Sequence, residues 1–138
     1  MRYIGLDVGT KTIGVSISDK TNTLVSPLKV IRFKTIATAI QELVNLIKEY
    51  EITTIVIGLP KNMDNTLGFA VERSIEFKEV LAKEVNIPIE FVDERLTTKE
   101  AESILIATNN KRKERKTKID AIAAVLILET YLKRLELR

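Results

Sequence analysis

The 138-residue sequence contains neither cysteine nor histidine. Without thiols there is no disulfide scaffold, no Cys-ligated zinc, no iron–sulfur cluster and no thiol nucleophile, and nothing ties the chain to an oxidising compartment. Without imidazole there is no Ser-His-Asp triad, no His general base and no His metal ligand, which removes most hydrolase chemistries and most transition-metal sites. Any chemistry must come from carboxylates, Lys, Arg, Ser, Thr or Tyr. Tryptophan is also absent and aromatics make up only 5% of the chain, so a stacking platform for unpaired bases is poorly supplied. Long apolar runs are missing too. The longest, Ala121 to Leu128, is far too short to span a bilayer, and the N-terminus meets an acid at Asp7 before any apolar stretch develops. A cytoplasmic protein with no membrane partner is expected.

What is present suits one packed core: 45% of the residues are hydrophobic, and no repeat, low-complexity tract or Pro/Gly/Ser linker divides the chain, so residues 1–138 read as a single domain. The net charge of +3 is a weak signal. Its distribution is stronger. Lys111, Arg112, Lys113, Arg115, Lys116 and Lys118 surround the single acid Glu114, a local charge of +5 that leaves −2 for the rest of the chain. Such a patch suits phosphate contact, the plainer alternative being a solvated loop.

The pattern of elements begins with strands. Residues 3–8 and 12–18 flank a Gly9-Thr10-Lys11 turn, and Ile13, Val15 and Ile17 alternate with small or polar residues, which predicts a hairpin. A third strand is expected over 24–32, interrupted near Pro27. Thr35 is a candidate N-cap for a helix to about Glu51, with Ile36, Ile40, Leu43, Ile47 and Tyr50 on one face. Residues 53–58 (TTIVIG) read as a strand buried on both faces, the mark of a parallel sheet covered by helices. A helix over about 67–84, a strand over 89–92, a helix from the Thr97/Glu100 capping pair to about Thr108, the basic loop, and an apolar helix from Thr117 to about Leu135 complete the order. The expectation is an α/β fold: a five-stranded mixed sheet with three antiparallel N-terminal strands, flanked by helices.

Three acidic positions stand where acids are costly. Asp7 lies at the end of an apolar strand, where a carboxylate must be hydrogen-bonded, paired or bound to a cation; an Asx-turn to the backbone of residues 9–11 is the structural alternative. Asp93 and Glu94 end the next apolar run, and burial alone does not choose between them, since adjacent strand residues face opposite ways. Asp120 precedes Ala121, Ala123 and Ala124; a first-turn acid near Thr117 is its plain explanation. Taken as a set, three carboxylates brought to the carboxyl ends of an open α/β sheet form a hard oxygen site suited to Mg²⁺ or Mn²⁺. Two such ions about 4 Å apart can activate water and stabilise the leaving oxygen of a phosphodiester, with no histidine base required.

Four stretches in order, Ile4-Gly5-Leu6-Asp7-Val8-Gly9-Thr10-Lys11-Thr12-Ile13-Gly14-Val15, Gly58-Leu59-Pro60-Lys61-Asn62-Met63-Asp64, Val92-Asp93-Glu94-Arg95-Leu96-Thr97-Thr98 and Lys118-Ile119-Asp120-Ala121-Ile122-Ala123-Ala124, resemble the YqgF family, also called RuvX or Holliday-junction-resolvase-like. The resemblance implies an RNase H-like fold, metal-dependent nuclease activity, and a cytoplasmic bacterial protein that trims the 5′ end of precursor 16S ribosomal RNA. It assigns the catalytic, metal-binding acids to Asp7, Glu94 and Asp120, and adds Lys11, the Gly58-Leu59-Pro60 loop and Arg95 to the site. The chain departs from the family pattern at Thr12, where Arg is usual, which removes one phosphate contact, and at Asn65, where Gly is usual and Asn tolerates the same turn.

Other readings remain. Residues 7–11 also resemble the first phosphate loop of actin-like ATPases and sugar kinases, which bind ATP between two such domains; this chain supplies one. Cleavage of branched DNA would use the same acids and metals, and a resolvase should act as a symmetric homodimer, each subunit cutting one strand; the sequence is compatible with a monomer or a homodimer. A non-catalytic nucleic-acid-binding domain would keep the fold and the bases, but three acids beside a phosphate-binding surface would weaken binding unless cations intervene. Nucleic acid is the expected partner in each nuclease reading, either an rRNA precursor, free or within ribosomal precursor particles, or branched DNA.

Overall fold

The computed structural model describes residues 1–59, 69–93 and 112–136, with side chains for 1–59, 71–92 and 121–135. The expected helix from Thr97 to about Thr108 and Asn65 of the second motif lie outside the described residues, as does the second motif beyond Leu59.

Strands β1 (Tyr3–Val8) and β2 (Thr12–Ser18) form the expected hairpin, and β3 (Val25–Arg32) adds antiparallel to the outer side of β2. Helix α1 (Ile36–Glu49) leads to β4 (Thr54–Leu59), parallel to β1; helix α2 (Phe69–Ala82) leads to β5 (Ile89–Asp93), parallel to β4. Helix α3 (Arg112–Glu136) closes the described chain. The sheet order is β3-β2-β1-β4-β5, the five-stranded mixed sheet expected. β1 and β4 occupy its middle because their runs are apolar on both faces. Thr35 caps α1 as expected, its hydroxyl accepting the Thr38 N–H at 3.3 Å. The interruption near Pro27 is a β-bulge: Lys29 pairs with Val15 and Pro27 with Ser16, so Leu28 is the extra residue.

Two layers of helix cover the sheet. On one face Ile4, Leu6, Val8, Ile13, Val15, Ile17, Ile55 and Ile57 pack against Ala39, Ile40 and Leu43 of α1 and Phe77 and Leu81 of α2. On the other, Tyr3, Val56 and Val92 pack against Ile127 and Leu128 of α3. This second face is small where α3 crosses it, with Gly5, Gly14, Ser16 and Ser18 supplying little or no side chain.

One expectation is overturned. Residues 112–118 do not form a loop before a helix starting at Thr117; they are the first two turns of α3. Lys, Arg and Glu are strong helix formers, and no Gly or Pro follows Pro88 to break the helix. Thr117 and Asp120 are therefore interior helical positions, and the capping and first-turn dipole explanation of Asp120 no longer applies. Among the described residues no helix is long and apolar enough to cross a membrane.

Candidate active site at the carboxyl edge of the sheet

Because β1, β4 and β5 are parallel, their carboxyl ends share one edge of the sheet, the place where open α/β sheets build their sites. Asp7 is the penultimate residue of β1 and only partly buried, while every other residue of the strand is buried. Across the hairpin it faces Gly14. On the other side it lies one step past the Leu6–Ile57 pair, which sets Gly58 of β4 abreast of it; Gly58 in turn pairs with Val92 of β5. Asp7 thus has a glycine beside it in each neighbouring strand.

The alternation Tyr3, Gly5, Asp7 runs along the face that α3 covers. The Ser16 hydroxyl donates to the Ala124 carbonyl at 2.7 Å, and a Cβ on Gly5 would lie 2.5 Å from Ser16 Oγ and 2.9 Å from both Ala124 O and Leu128 Cβ. The Tyr3 and Tyr131 rings sit 5.8 Å apart. Moving along β1 from Tyr3 to Gly5 therefore moves back along α3 from Tyr131 to Ala124, so helix and strand are antiparallel. Two strand residues advance about 7 Å and one helical turn about 5 Å. Continued past Ala124, this antiparallel course takes the earlier turns of α3, position 120 among them, towards the Asp7 end of β1. Two of the three expected acids, far apart in sequence, are carried by backbone elements that lead to one edge.

For the third acid, Ile89 and Phe91 of β5 pack on the α1/α2 side and Val92 in the α3 layer. Glu94 and Arg95 lie outside the described residues, as does Lys111, while Arg112, Lys113, Arg115, Lys116 and Lys118 are described in backbone only. That backbone is the helical run that continues α3 in the same direction. Among the described residues no three acids are gathered as a metal site; Asp7 is the one expected ligand whose side chain they include.

Lys11 is exposed in the turn immediately after β1. The turn is closed by the Gly9 N–H donating to the Thr12 carbonyl at 2.8 Å, and a Cβ on Gly9 would lie 2.9 Å from that oxygen, so the close approach requires glycine. Thr12, where the family pattern has Arg, pairs directly with Arg32 of β3. Only the strand register brings Arg32 to this edge.

The RuvX family, described as Holliday junction resolvase, matches residues 1–134. A protein of Clostridium acetobutylicum named "Putative pre-16S rRNA nuclease" is 45% identical over 132 residues, covering 96% of this chain and 98% of its own length. A Halalkalibacterium halodurans protein of the same name is 46% identical over 140 residues and covers both chains completely. Among solved structures, Thermus thermophilus RuvC superposes with a TM-score of 0.60 at 12% identity, over 99% of this chain and 97% of that one. The fowlpox virus resolvase, solved with Holliday junction DNA, gives 0.58 at 16% identity over 98% and 99%. At these identities the likeness is one of fold, the RNase H-like architecture that the sequence motifs implied. Matched over nearly its whole length by the family, and by relatives of its own size, this chain belongs to the RuvX family.

Proposed function

We propose that the chain is a metal-dependent nuclease that hydrolyses phosphodiester bonds and processes the 5′ end of precursor 16S rRNA in the cytoplasm, acting on the RNA or on ribosomal precursor particles. The observation that carries the reading is the position of Asp7 at the carboxyl edge, flanked by Gly14 and Gly58, on the face where α3 carries position 120 towards that edge. Asp7, Glu94 and Asp120 are its catalytic, metal-binding acids. The packing of Val92 in the α3 layer supports Glu94 over Asp93, because the next residue on that side of an extended strand is 94. An all-oxygen donor set in a chain lacking His and Cys fits two hard divalent ions, Mg²⁺ or Mn²⁺. When bound, such ions supply Lewis acidity towards the phosphodiester. Lys11, Arg95 and the bases of 111–118 hold backbone phosphates and fix the register of the strand.

The names of the full-length relatives favour precursor rRNA. The family description and the resolvase fold support a second reading, cleavage of a four-way DNA junction by a homodimer that cuts two strands symmetrically. The deciding experiment incubates the protein with a 16S precursor 5′ end, a generic single strand and a four-way junction, each with Mn²⁺ and with EDTA. Metal-dependent cleavage of the precursor is expected. Cleavage of the junction alone would replace the substrate, and binding without cleavage of any of them would leave a non-catalytic nucleic-acid-binding domain.

A further inference from the structure

We propose that the open edge of β5 docks an extended, Lys/Arg-rich segment of a protein partner, which adds to the sheet as a further strand with its apolar residues towards α2 and its basic residues on the side of Glu90. The proposal goes beyond the nuclease reading and does not depend on it. Among the described residues β5 is paired on one side only, with β4. The Ile55 N–H donates to the Pro88 carbonyl at 2.9 Å, and the register runs without a shift from Ile55–Ile89 to Leu59–Asp93. Pro88, Glu90 and Val92 therefore turn their backbone groups to β4, while Ile89, Phe91 and Asp93 turn theirs outward, where an added strand finds them. The two edges of the sheet are guarded differently. β3 carries Pro27, the bulge at Leu28 and the charged Lys29, each of which hinders a further strand, whereas β5, with the sequence IEFVD, has neither proline, lysine nor bulge.

The chemistry of the occupant follows from what borders this edge. On the α2 side, Ile89 and Phe91 are only partly buried against the core, the Lys78 ammonium reaches over the Phe91 ring at 5.9 Å, and Ile75, one turn before Lys78, is 38% exposed. They offer a floor and a wall to the alternate apolar residues of an extended peptide. On the opposite side of the strand Glu90 is exposed, placed to face a base across the new pair. Glu72 and Glu79, on the turns either side of Ile75, are exposed as well, and among the described residues none of these three glutamates is held in an ion pair. Residues 69–93 contain six acids and three bases, a net −3 in a chain whose total is +3. That charge selects a basic polypeptide: a nucleic-acid strand is repelled, and a second copy of this chain would set −3 against −3.

The test uses the full chain and a fluorescent peptide of alternating Lys and Val, with Glu/Val and Lys/Gly peptides as controls. The Lys/Val peptide should bind, and both controls should bind at least about tenfold more weakly, since one loses the charge match and the other the apolar contacts. Hydrogen exchange carries the specific signature. On binding, the amides of Ile89, Phe91 and Asp93 should become protected, while those of Glu90 and Val92, already turned to β4, should change little. Glu90→Lys should weaken the peptide about fivefold or more by setting like charges opposite each other, and Glu90→Asp, which keeps the charge, should stay within about twofold of wild type. No binding, binding that protects none of the outward amides, or equal binding by the Glu/Val peptide overturns the docking edge. So does a dimer in sedimentation equilibrium whose β5 amides are already protected without peptide, which would make a second copy the occupant. The peptide assay contains neither metal nor nucleic acid, so its failure leaves the nuclease reading in place.

Discussion

The hydroxyl of Ser16 donates a 2.7 Å hydrogen bond to the carbonyl of Ala124, 108 residues away, directly over Gly5. This contact sets how closely and at what level α3 lies on the sheet, and hence where position 120 falls relative to Asp7. Gly5→Ala should cost about 1–3 kcal/mol by overpacking, because its Cβ would press on Ala124 O, a helix backbone atom with no freedom to yield. Nuclease activity should fall further than the melting temperature suggests, since a displaced helix carries Asp120 with it. Ser16→Ala should cost only about 1 kcal/mol, because it creates no clash. Calorimetry and cleavage rates on the two variants check the pair; equal loss of activity in both would show that the spacing of α3 does not matter.

Asp7→Asn should leave the fold intact and reduce metal-dependent cleavage at least a hundredfold, more than the 10- to 100-fold typical of losing an outer-shell partner of a metal ligand. A cation that binds only the native state raises its melting temperature. Mn²⁺ should therefore raise the melting temperature of the wild type and not that of Asp7→Asn. A variant that still responds to Mn²⁺ and still cleaves would remove Asp7 from the site.

Replacing Lys113, Arg115 and Lys116 by Gln isolates charge from shape, because Gln is also a good helix former and α3 should remain helical. The salt slope of RNA binding should flatten by about 2, at about 0.7 per lost contact. Circular dichroism of the variant should match the wild type. An unaltered slope would mark this end of α3 as solvated surface.

Much of this arrangement was legible locally. Alternation at Ile13, Val15 and Ile17 announced a half-polar strand, the unbroken Thr54–Gly58 run a central one, and Thr35 the start of α1. Asp7 stood out because an acid in an apolar strand needs a reason. The start of α3 was not legible, because a run of Lys and Arg satisfies the description of a loop and of a helix equally well. Nor was the place of Arg32. The bulge at Leu28 shifts the alternation of β3, so that Ile31 enters the core and Arg32 the opposite face, and its partner Thr12 follows only from long-range register. Burial left Asp93 and Glu94 undecided for a related reason: the choice depends on which face Val92 takes.

Glu51 holds φ at 54°, the left-handed region, just beyond the C-terminus of α1. The Ile52 N–H donates to Ile47 O at 3.0 Å and the Glu51 N–H to Lys48 O at 3.4 Å, a Schellman arrangement in which glycine is the favoured residue. Glu51→Gly should relieve about 1 kcal/mol of backbone strain and raise the melting temperature by a few degrees in a domain of this size. The substitution lies at the end of the sheet away from Asp7, so cleavage rates should not change. A lower melting temperature would mean that the glutamate makes a compensating contact.

Asp19 is the group through which acid should first be felt in the β2–β3 turn. Its carboxylate accepts the Thr23 N–H at 2.9 Å, the Thr21 hydroxyl at 2.9 Å and the Leu24 N–H at 3.3 Å. These bonds favour the charged form, the Thr23 N–H most of all, and hold the carboxyl below its ordinary pKa. A carboxylate depressed in the folded state stabilises the fold above its unfolded pKa, and that contribution is lost as pH falls through the lower folded value. Asp19→Asn removes the charge at every pH. The gap in melting temperature between wild type and variant should therefore be constant from about pH 7 to 5 and narrow as the pH approaches 3. A gap that stays the same throughout would mean that these backbone donors do not distinguish the ionised carboxyl from the neutral amide.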